Sequence, residues 1–274
     1  MRLTVGQDPV RRPDELAVEE PLELRVGGRS LAVTMRTPGD DFDLAAGFLV
    51  SEGVIDQRDQ LAAMRYCVGA GDDEPNRFNV LDISLGSGVA PPDPSVERAF
   101  FTTSSCGLCG KASIDAVRTR SAFEVGSDRL QVDPALLATF PDRLRAEQQV
   151  FGKTGGLHAA AVFDGETGDL LVLREDVGRH NAVDKVVGWA LRQGRLPLRR
   201  AVLLVSGRAS FELVQKALMA GIPFLAAVSA PSSLAAELAT ESGLTLVGFL
   251  RGPSMVVYAG TERLSPTPAA SAAR

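Results

Sequence analysis

The second half of the chain alternates between short apolar runs and amphipathic stretches, and this alternation limits the fold more than any other feature. Residues 201–205 form an unbroken apolar run, residues 223–228 repeat this strand pattern, and residues 244–250 form another strand-like run, each after an intervening helical stretch. Runs that are apolar at every position are typical of strands buried on both faces. The sequence therefore predicts an α/β fold, whose main part is a mixed, partly parallel sheet with helices on both faces.

The first hundred residues predict a smaller α+β portion. Residues 22–26 and 29–35 are strand-like runs on either side of two glycines, which is typical of a β-hairpin. Residues 40–51 read as a helix behind a capping aspartate, and residues 78–85 alternate as a half-buried strand does. We therefore divide the chain into this α+β portion at residues 1–100, a mobile loop at 101–112, an α/β domain at 113–264 and a disordered tail at 265–274.

Charge and composition exclude several classes of function. The net charge is −5 and no run rich in Lys and Arg occurs, which argues against nucleic-acid binding. No apolar window approaches the roughly 18 residues of a membrane span, and no signal segment is visible, so we expect neither a membrane protein nor a secreted one. The three cysteines indicate no disulfide framework, and a reduced cytoplasmic protein is expected.

A close cysteine pair, Cys106 and Cys109, lies in an irregular segment rich in Ser, Thr and Gly. Two thiols at this spacing can form a redox disulfide, supply half of a zinc site or act as nucleophiles. A zinc site would need Cys67 and His158 as well, and a thioredoxin-like site would need a small βαβ domain that the surrounding pattern does not predict. A mobile thiolate that accepts and passes on sulfur fits best, since Lys111 and a nearby helix start favour the thiolate form.

A zinc nucleobase deaminase uses a similar set of residues but is excluded here. That chemistry needs a histidine followed two positions later by a catalytic glutamate, with a CxxC pair further along the chain. In this chain Ala160 stands two positions after His158, and the cysteine pair precedes the histidine. A related fold stays open, and His158 also fits a histidine of the core with satisfied hydrogen bonds.

Three polar clusters follow apolar strands in the second half, where ligands bind in open α/β sheets. Serine and glycine allow a ligand to come close, arginine adds charge, and helix N-termini attract phosphate. Each cluster alone is equally well explained as an ordinary helix cap. Together they predict a site for a phosphate-bearing ligand, with contributions from His180, Asn181, Ser206, Gly207, Arg208 and Ser229.

Several motifs resemble those of the formate dehydrogenase accessory sulfurtransferase family (FdhD). Residues 102–110, which contain the cysteine pair, resemble its cysteine loop. The long string at 174–185, Arg-Glu-Asp-Val-Gly-Arg-His-Asn-Ala-Val-Asp-Lys, is the most specific match. Shorter matches occur at residues 154–160, 206–210 and 248–252.

The resemblance implies a sulfurtransferase. Such a protein takes persulfide sulfur from a cysteine desulfurase and passes it to molybdenum held by two molybdopterin guanine dinucleotides, before the cofactor enters formate dehydrogenase. The resemblance implies Cys106 as the persulfide cysteine and Cys109 as its partner, with a cofactor-binding stretch made of Phe249, Leu250, Arg251, Gly252, Pro253 and Ser254. No metal ligand and no permanent cofactor are expected, because the molybdenum cofactor is the molecule that accepts the sulfur.

The same resemblance implies a main domain like that of cytidine deaminase, without its zinc chemistry, and a homodimer. The α/β domain at residues 113–264 would bind the GDP-like guanine nucleotide moiety of the cofactor. An alternative from another class is a chaperone that binds the molybdenum cofactor and performs no sulfur chemistry. The cysteine pair favours the carrier, since a pure chaperone would not need it.

Overall fold

Two mixed β-sheets organise the chain. The structure, a computed structural model, describes residues 1–67, 78–92 and 121–265. The smaller sheet has the strand order β2-β1-β4-β3, with β1 at Glu20–Val26, β2 at Arg29–Arg36, β3 at Leu61–Tyr66 and β4 at Val80–Leu85. The larger sheet has the order β10-β9-β8-β7-β5-β6, with β5 at His158–Asp164, β6 at Leu170–Asp176, β7 at Ala201–Val205, β8 at Phe224–Ala227, β9 at Thr245–Arg251 and β10 at Ser254–Ala259.

Seven α-helices lie in the described ranges. They are α1 at Asp41–Ser51, α2 at Pro134–Leu137, α3 at Phe140–Glu147, α4 at Gln149–Thr154, α5 at Arg179–Arg192, α6 at Phe211–Met219 and α7 at Ser233–Ser242. Within those ranges, none is both long and apolar enough to cross a membrane. The predicted boundaries at residues 100 and 112 fall outside the described residues.

The predicted hairpin and the first helix are confirmed, but the predicted helix cap is wrong. Strands β1 and β2 pair antiparallel, and β1 also pairs with β4 in parallel. Asp40 precedes α1 in a left-handed conformation, with φ 54°, and makes no capping hydrogen bond with its side chain. The Asp41 carboxylate instead accepts hydrogen bonds from the buried guanidinium of Arg36. Asp41 therefore ties the helix to β2, while the Asp40 side chain pairs with Arg174 of β6 and does not cap the helix.

The mixed sheet with helices on both faces is confirmed. Strands β7, β8 and β9 run parallel, whereas β5, β6 and β10 are antiparallel to their neighbours. Alternate strand residues enter two cores: Leu203 and Leu225 pack with α5, α6 and α7, while Leu204 and Ala226 pack with residues of α2 and α3. The resemblance to cytidine deaminase in particular stays a prediction.

Helices α1 and α5 cross at two glycines. A Cβ on Gly47 would lie 1.8 Å from the carbonyl oxygen of Asp184, and one on Gly188 would lie 1.8 Å from the carbonyl oxygen of Asp43. No side chain fits there, so the two backbones are in direct contact. Because of this crossing, Leu22 and Ile83 of the smaller sheet belong to the same core as α5 and the larger sheet.

A buried ion pair fixes the end of β6 against the N-terminal portion. Lys185 Nζ lies 2.8 Å from Asp176 Oδ2, and both side chains are almost fully buried. Lys185 also donates to the carbonyl oxygen of Thr37, and Asp176 accepts from the backbone N–H groups of Thr37 and Gly178. The segment that follows β6 is thereby held in one position relative to β2.

Lys185→Met is expected to lower the free energy of unfolding by about 3–5 kcal/mol, because it leaves the buried Asp176 carboxylate without its counter-charge. Urea denaturation of the full chain measures this. The control is Lys153→Met, which removes an exposed lysine from α4 and should change stability by less than about 0.5 kcal/mol. Equal urea midpoints for the two variants would contradict the expected role of the pair.

Candidate functional site

The three predicted polar clusters meet at one edge of the larger sheet. Strands β7, β8 and β9 are parallel, so their carboxyl ends share that edge. Antiparallel β5 begins there with His158, which pairs with Asp176 at the end of β6. We call this the strand-end edge. It carries the segments 176–181, 206–210, 228–233 and 251–254, which include most of the residues predicted from the sequence.

Backbone and serine hydrogen bonds hold these segments together. The Ser206 N–H donates to the carbonyl oxygen of Ala159, and the Ser206 Oγ accepts from the Ala159 N–H at 2.9 Å. The Ser232 N–H donates to the carbonyl oxygen of Ala209, which joins the loop after β7 to the loop after β8. The Phe249 N–H donates to the carbonyl oxygen of Ser229 at 3.2 Å. The edge is therefore a connected surface.

Both histidines of the chain lie at this edge. His158 faces Gly207: a Cβ on that glycine would lie 3.4 Å from His158 Nδ1. Burial and the neighbouring positive charge of Arg179 lower the pKa of His158, which favours its neutral form. His180 Nε2 lies 2.7 Å from Glu212 Oε2 and 3.4 Å from Ser210 Oγ.

Two helix N-termini at the edge keep free donors. Helix α5 begins after Gly178, which has no side chain to cap it, and α6 begins after Ser210, whose hydroxyl makes no capping hydrogen bond. In contrast, Ser232 caps α7 by accepting from the Ala235 N–H. Uncapped N–H groups and the positive end of the helix dipole attract anions. The buried Nε of Arg179 has no hydrogen-bond partner among the described residues.

The predicted stretch from Phe249 to Ser254 turns from β9 into β10 at the same edge. Phe249 is partly exposed and has a φ of 52°, a left-handed conformation that is unusual for an aromatic residue. Arg251 Nε donates to the carbonyl oxygen of Val228, and Gly252, Pro253 and Ser254 are exposed. Leu250 points into the second core and is fully buried, so a ligand could reach only its backbone.

Arg208 and Asn181, two of the predicted binding residues, differ in their exposure and in their hydrogen bonds. Arg208 is exposed and follows the end of β7. Asn181 is buried, and its amide joins three partners: it donates to the Met35 carbonyl oxygen and to Asp176 Oδ1 and accepts from Thr34 Oγ1. Asn181 thus connects β2 to α5, and its role as a binding residue stays a prediction.

Glu212 is a site residue that the sequence did not single out. It lies in the first turn of α6, where acidic residues are common because they complement the helix dipole. Its contact with His180 depends on two elements that are 32 positions apart along the chain. Only the fold makes that contact visible.

The cysteine pair Cys106–Cys109 lies outside the described residues. Cys67 is free and partly buried at the end of the smaller sheet, and its N–H donates to the carbonyl oxygen of Val80. Within the described ranges, no group of three or more His, Cys, Asp or Glu side chains is placed to hold a metal ion.

Comparison with known proteins identifies the family. The sequence matches the profile of the FdhD/NarQ family over residues 17–265. The chain belongs to the FdhD/NarQ family. A relative from Streptomyces avermitilis, named "Sulfur carrier protein FdhD", is 64% identical over 261 residues, which cover 95% of this chain and 92% of the relative. Another protein of that name, from Mycolicibacterium paratuberculosis, is 60% identical and covers 96% of each chain.

A solved structure supports the same FdhD/NarQ fold. It is a crystal structure from Desulfotalea psychrophila, described as that of a formate dehydrogenase accessory protein. The two superpose with a TM-score of 0.70 over 92% of this chain and 91% of the other, at 23% sequence identity. At 23% sequence identity, this comparison shows only that the two proteins share a fold.

Proposed function

We propose that the chain is a sulfur carrier of formate dehydrogenase maturation that works in the cytoplasm. Cys106 takes persulfide sulfur from a cysteine desulfurase. The sulfur then passes to molybdenum in the bis(molybdopterin guanine dinucleotide) cofactor, which is the substrate of this step. The sulfurated cofactor enters formate dehydrogenase.

The observation that carries this proposal is the 64% identity, over nearly the whole chain, to a protein named as a sulfur carrier. The cysteine pair of this chain supplies the thiols that such a carrier needs. The homodimer implied by the family resemblance is part of the proposal as well, and sedimentation of the purified protein tests it.

The sulfur uptake is a thiol exchange. The Cys106 thiolate attacks the outer sulfur of the persulfide on the desulfurase, the S–S bond of that persulfide breaks, and the desulfurase thiolate leaves. Cys109 can release the sulfur again: its thiol attacks the inner sulfur of the Cys106 persulfide, which forms a Cys106–Cys109 disulfide and frees hydrosulfide. The hydrosulfide replaces an oxygen ligand on molybdenum, and that oxygen leaves as water. A cellular dithiol then reduces the disulfide.

The strand-end edge is proposed as the binding site of the cofactor. The uncapped N-termini of α5 and α6, the free Nε of Arg179 and the exposed Arg208 supply donors and positive charge for phosphate groups. The proposed contacts to the guanine nucleotide moiety come from His180, Asn181, Ser206, Gly207, Arg208, Ser229 and the stretch Phe249, Leu250, Arg251, Gly252, Pro253 and Ser254.

Intact mass spectrometry separates a carrier from a chaperone without sulfur chemistry. The purified chain is incubated with a cysteine desulfurase and cysteine, and a carrier gains about 32 Da, the mass of one sulfur atom. The added mass should vanish after treatment with a reductant. An unchanged mass in a protein that still binds GDP would favour the chaperone.

Arg208→Ala is expected to weaken the binding of GDP by about 1.5–3 kcal/mol, because the variant loses a charge-assisted hydrogen bond to phosphate. Titration calorimetry on the full chain measures the change. The matched control is Arg199→Ala, which removes an exposed arginine at the opposite end of β7. Equal weakening by both variants would mean that only overall charge matters and that Arg208 is not a binding residue.

A further inference from the structure

A cavity of about 210 Å³ lies between the smaller sheet and the helices α5 and α6. Its rim is polar and includes His180 and Glu212, which lie in the first turns of the two uncapped helices at the strand-end edge. The cavity therefore adjoins the proposed site for phosphate groups. Its apolar side chains come from β1, β2 and α1, and they are Leu24, Ala32, Val33, Leu44 and Phe48.

The size and lining of the cavity fit a flat ring system. Binding sites for whole small molecules usually have about 300–1,000 Å³, so this cavity has room for one ring system of a nucleotide and not for the entire molecule. Phe48 and the aliphatic side chains offer apolar surface to such a ring. The choice of ring must then depend on the polar groups of the rim.

Most polar groups of the rim already have partners within the fold. Lys216 Nζ donates to both carboxylate oxygens of Asp184, at 2.8 and 2.9 Å, and the Ser51 hydroxyl donates to the same carboxylate. The Asn181 amide is held by β2, and the Gln215 amide donates to the carbonyl oxygen of Ser51. These side chains therefore fix the walls of the cavity.

Glu212 offers an acceptor at this rim. Its Oε2 lies 2.7 Å from His180 Nε2 and 3.5 Å from Ser210 Oγ, whereas its Oε1 makes no hydrogen bond with any residue in the described ranges. The hydrogen bond with His180 is the largest cause that lowers the pKa of Glu212. Burial opposes this effect, and the positive charges of Lys216 and Arg179 lower the pKa further. The ionised carboxylate accepts hydrogen bonds and donates none.

A carboxylate favours a ring that presents two adjacent N–H donors. Guanine does so with its N1–H and its 2-amino group, which can bind the two carboxylate oxygens side by side. Adenine and cytosine present an acceptor nitrogen at the same edge, and that nitrogen would face a carboxylate oxygen without a hydrogen between them. The pterin ring has the same 2-amino-4-oxopyrimidine edge as guanine, and the cofactor proposed above contains both rings.

We propose that Glu212 is the specificity-determining residue for the base: its carboxylate binds the 2-amino-4-oxopyrimidine edge of a guanine or pterin ring in the cavity, while the diphosphate lies at the strand-end edge. This inference rests on the proposed function, since the ring belongs to the cofactor named there. It adds the side chain that distinguishes this cofactor from adenine and cytosine dinucleotides.

Binding of four nucleoside diphosphates tests the proposal, because they share the diphosphate and differ in the base. Titration calorimetry on the full chain compares GDP with the diphosphates of inosine, xanthosine and adenosine. The wild-type chain should bind GDP about 10- to 100-fold more tightly than the xanthosine and adenosine compounds, which is the size of one bidentate contact to a base edge. Inosine lacks only the 2-amino group, so its diphosphate should bind with intermediate affinity.

Glu212→Gln should reverse this preference in favour of xanthosine diphosphate. The glutamine amide has a donor and an acceptor, which match the 2-oxo group and the N1–H of xanthine. A residue that only supports the fold would weaken all four ligands equally and could not cause such a reversal. The matched control is Glu237→Gln, which removes an exposed carboxylate from α7 and should keep the wild-type preference.

The same comparison with pterin and lumazine distinguishes the two rings, since lumazine carries an oxo group in place of the 2-amino group of pterin. If the wild-type chain prefers pterin and Glu212→Gln prefers lumazine, while the nucleotides show no dependence on Glu212, the cavity takes the pterin half of the cofactor. A reversal with the nucleotides alone assigns the cavity to guanine.

Three results would overturn the proposal. If all four diphosphates bind equally well and pterin binds no better than lumazine, the anion site remains but Glu212 selects no ring. If Glu212→Gln keeps the wild-type preferences, another group contacts the ring edge, and a reversal in Glu52→Gln would identify the other carboxylate of the cavity as that group. If neither nucleotides nor pterin bind, the cavity and the strand-end edge both fail as ligand sites, and sulfur uptake measured by intact mass still tests the carrier separately.

Discussion

Cys106→Ala is expected to abolish both the uptake of sulfur from a cysteine desulfurase and the activation of formate dehydrogenase. The reason is chemical: without the Cys106 thiolate no persulfide can form at this position, and alanine offers no other nucleophile. Intact mass after incubation with desulfurase and cysteine measures the uptake. Formate dehydrogenase activity in cells that carry only the variant measures the outcome.

The matched control for Cys106→Ala is Cys67→Ser. Cys67 directly follows β3 at the end of the smaller sheet, where its backbone N–H donates to the carbonyl oxygen of Val80, and serine keeps that bond. This variant should take up sulfur like the wild-type chain. If Cys106→Ala gains sulfur at the wild-type rate, Cys106 is not the carrier. Cys109→Ala should still gain sulfur but fail to release it, since the second thiol of the exchange is missing.

Gly47→Ala is expected to lower the free energy of unfolding by about 3 kcal/mol or more, or to prevent folding, because it places a methyl group 1.8 Å from the Asp184 carbonyl oxygen. That oxygen belongs to the backbone of α5 and cannot rotate away. Urea denaturation of the full chain measures the effect. Gly188→Ala, which places its methyl group equally close to the Asp43 carbonyl oxygen, should be as damaging.

The control for these variants is Gly152→Ala in α4. No atom lies within 4 Å of the added methyl group, and the residue already has a helical conformation. The change should leave stability unaltered or raise it by up to about 1 kcal/mol, as alanine favours helices over glycine. If Gly47→Ala matched the wild-type midpoint, the close crossing of α1 and α5 would be contradicted.

Much of the larger sheet could be predicted from the sequence because its strands contain continuous apolar runs, and its central strands β7 and β8 are apolar at every position. Ala201–Val205 in particular is a strand with the bounds that the apolar run predicts. Strands that alternate with helices along the chain are expected to run parallel. Because parallel strands end at the same edge of a sheet, the polar loops that follow them could be placed together at one edge. These features depend on local patterns, and local patterns are visible in a single sequence.

The elements that could not be predicted lack such a pattern. Strand β3, Leu61–Tyr66, shows no regular alternation of buried and exposed residues, and two of its six residues are alanines. Helices α2 and α4 are four and six residues long, too short to display a helical period. Their positions depend on tertiary contacts such as the packing of Leu137 in the second core.

In the candidate site, too, some features could be predicted from the sequence and others could not. Its serines, glycines and arginines could be named because they follow apolar strands. The partners of individual side chains could not, since Asn181 meets Met35 from a distant strand and Glu212 meets His180 from another helix. The sequence predicts which residue types gather at the edge, while the fold decides which of them remain free to bind a ligand.

Transfer of labelled sulfur to formate dehydrogenase distinguishes a sulfur carrier from a protein that only binds the cofactor. The chain is charged with labelled cysteine and a desulfurase, separated from both, and then mixed with the molybdenum cofactor and unsulfurated formate dehydrogenase. We expect the label to leave Cys106 and appear with the cofactor in formate dehydrogenase, and we expect the activity of that enzyme to be restored. Label that stays on the chain, or activation that proceeds equally well with Cys106→Ala, would contradict it.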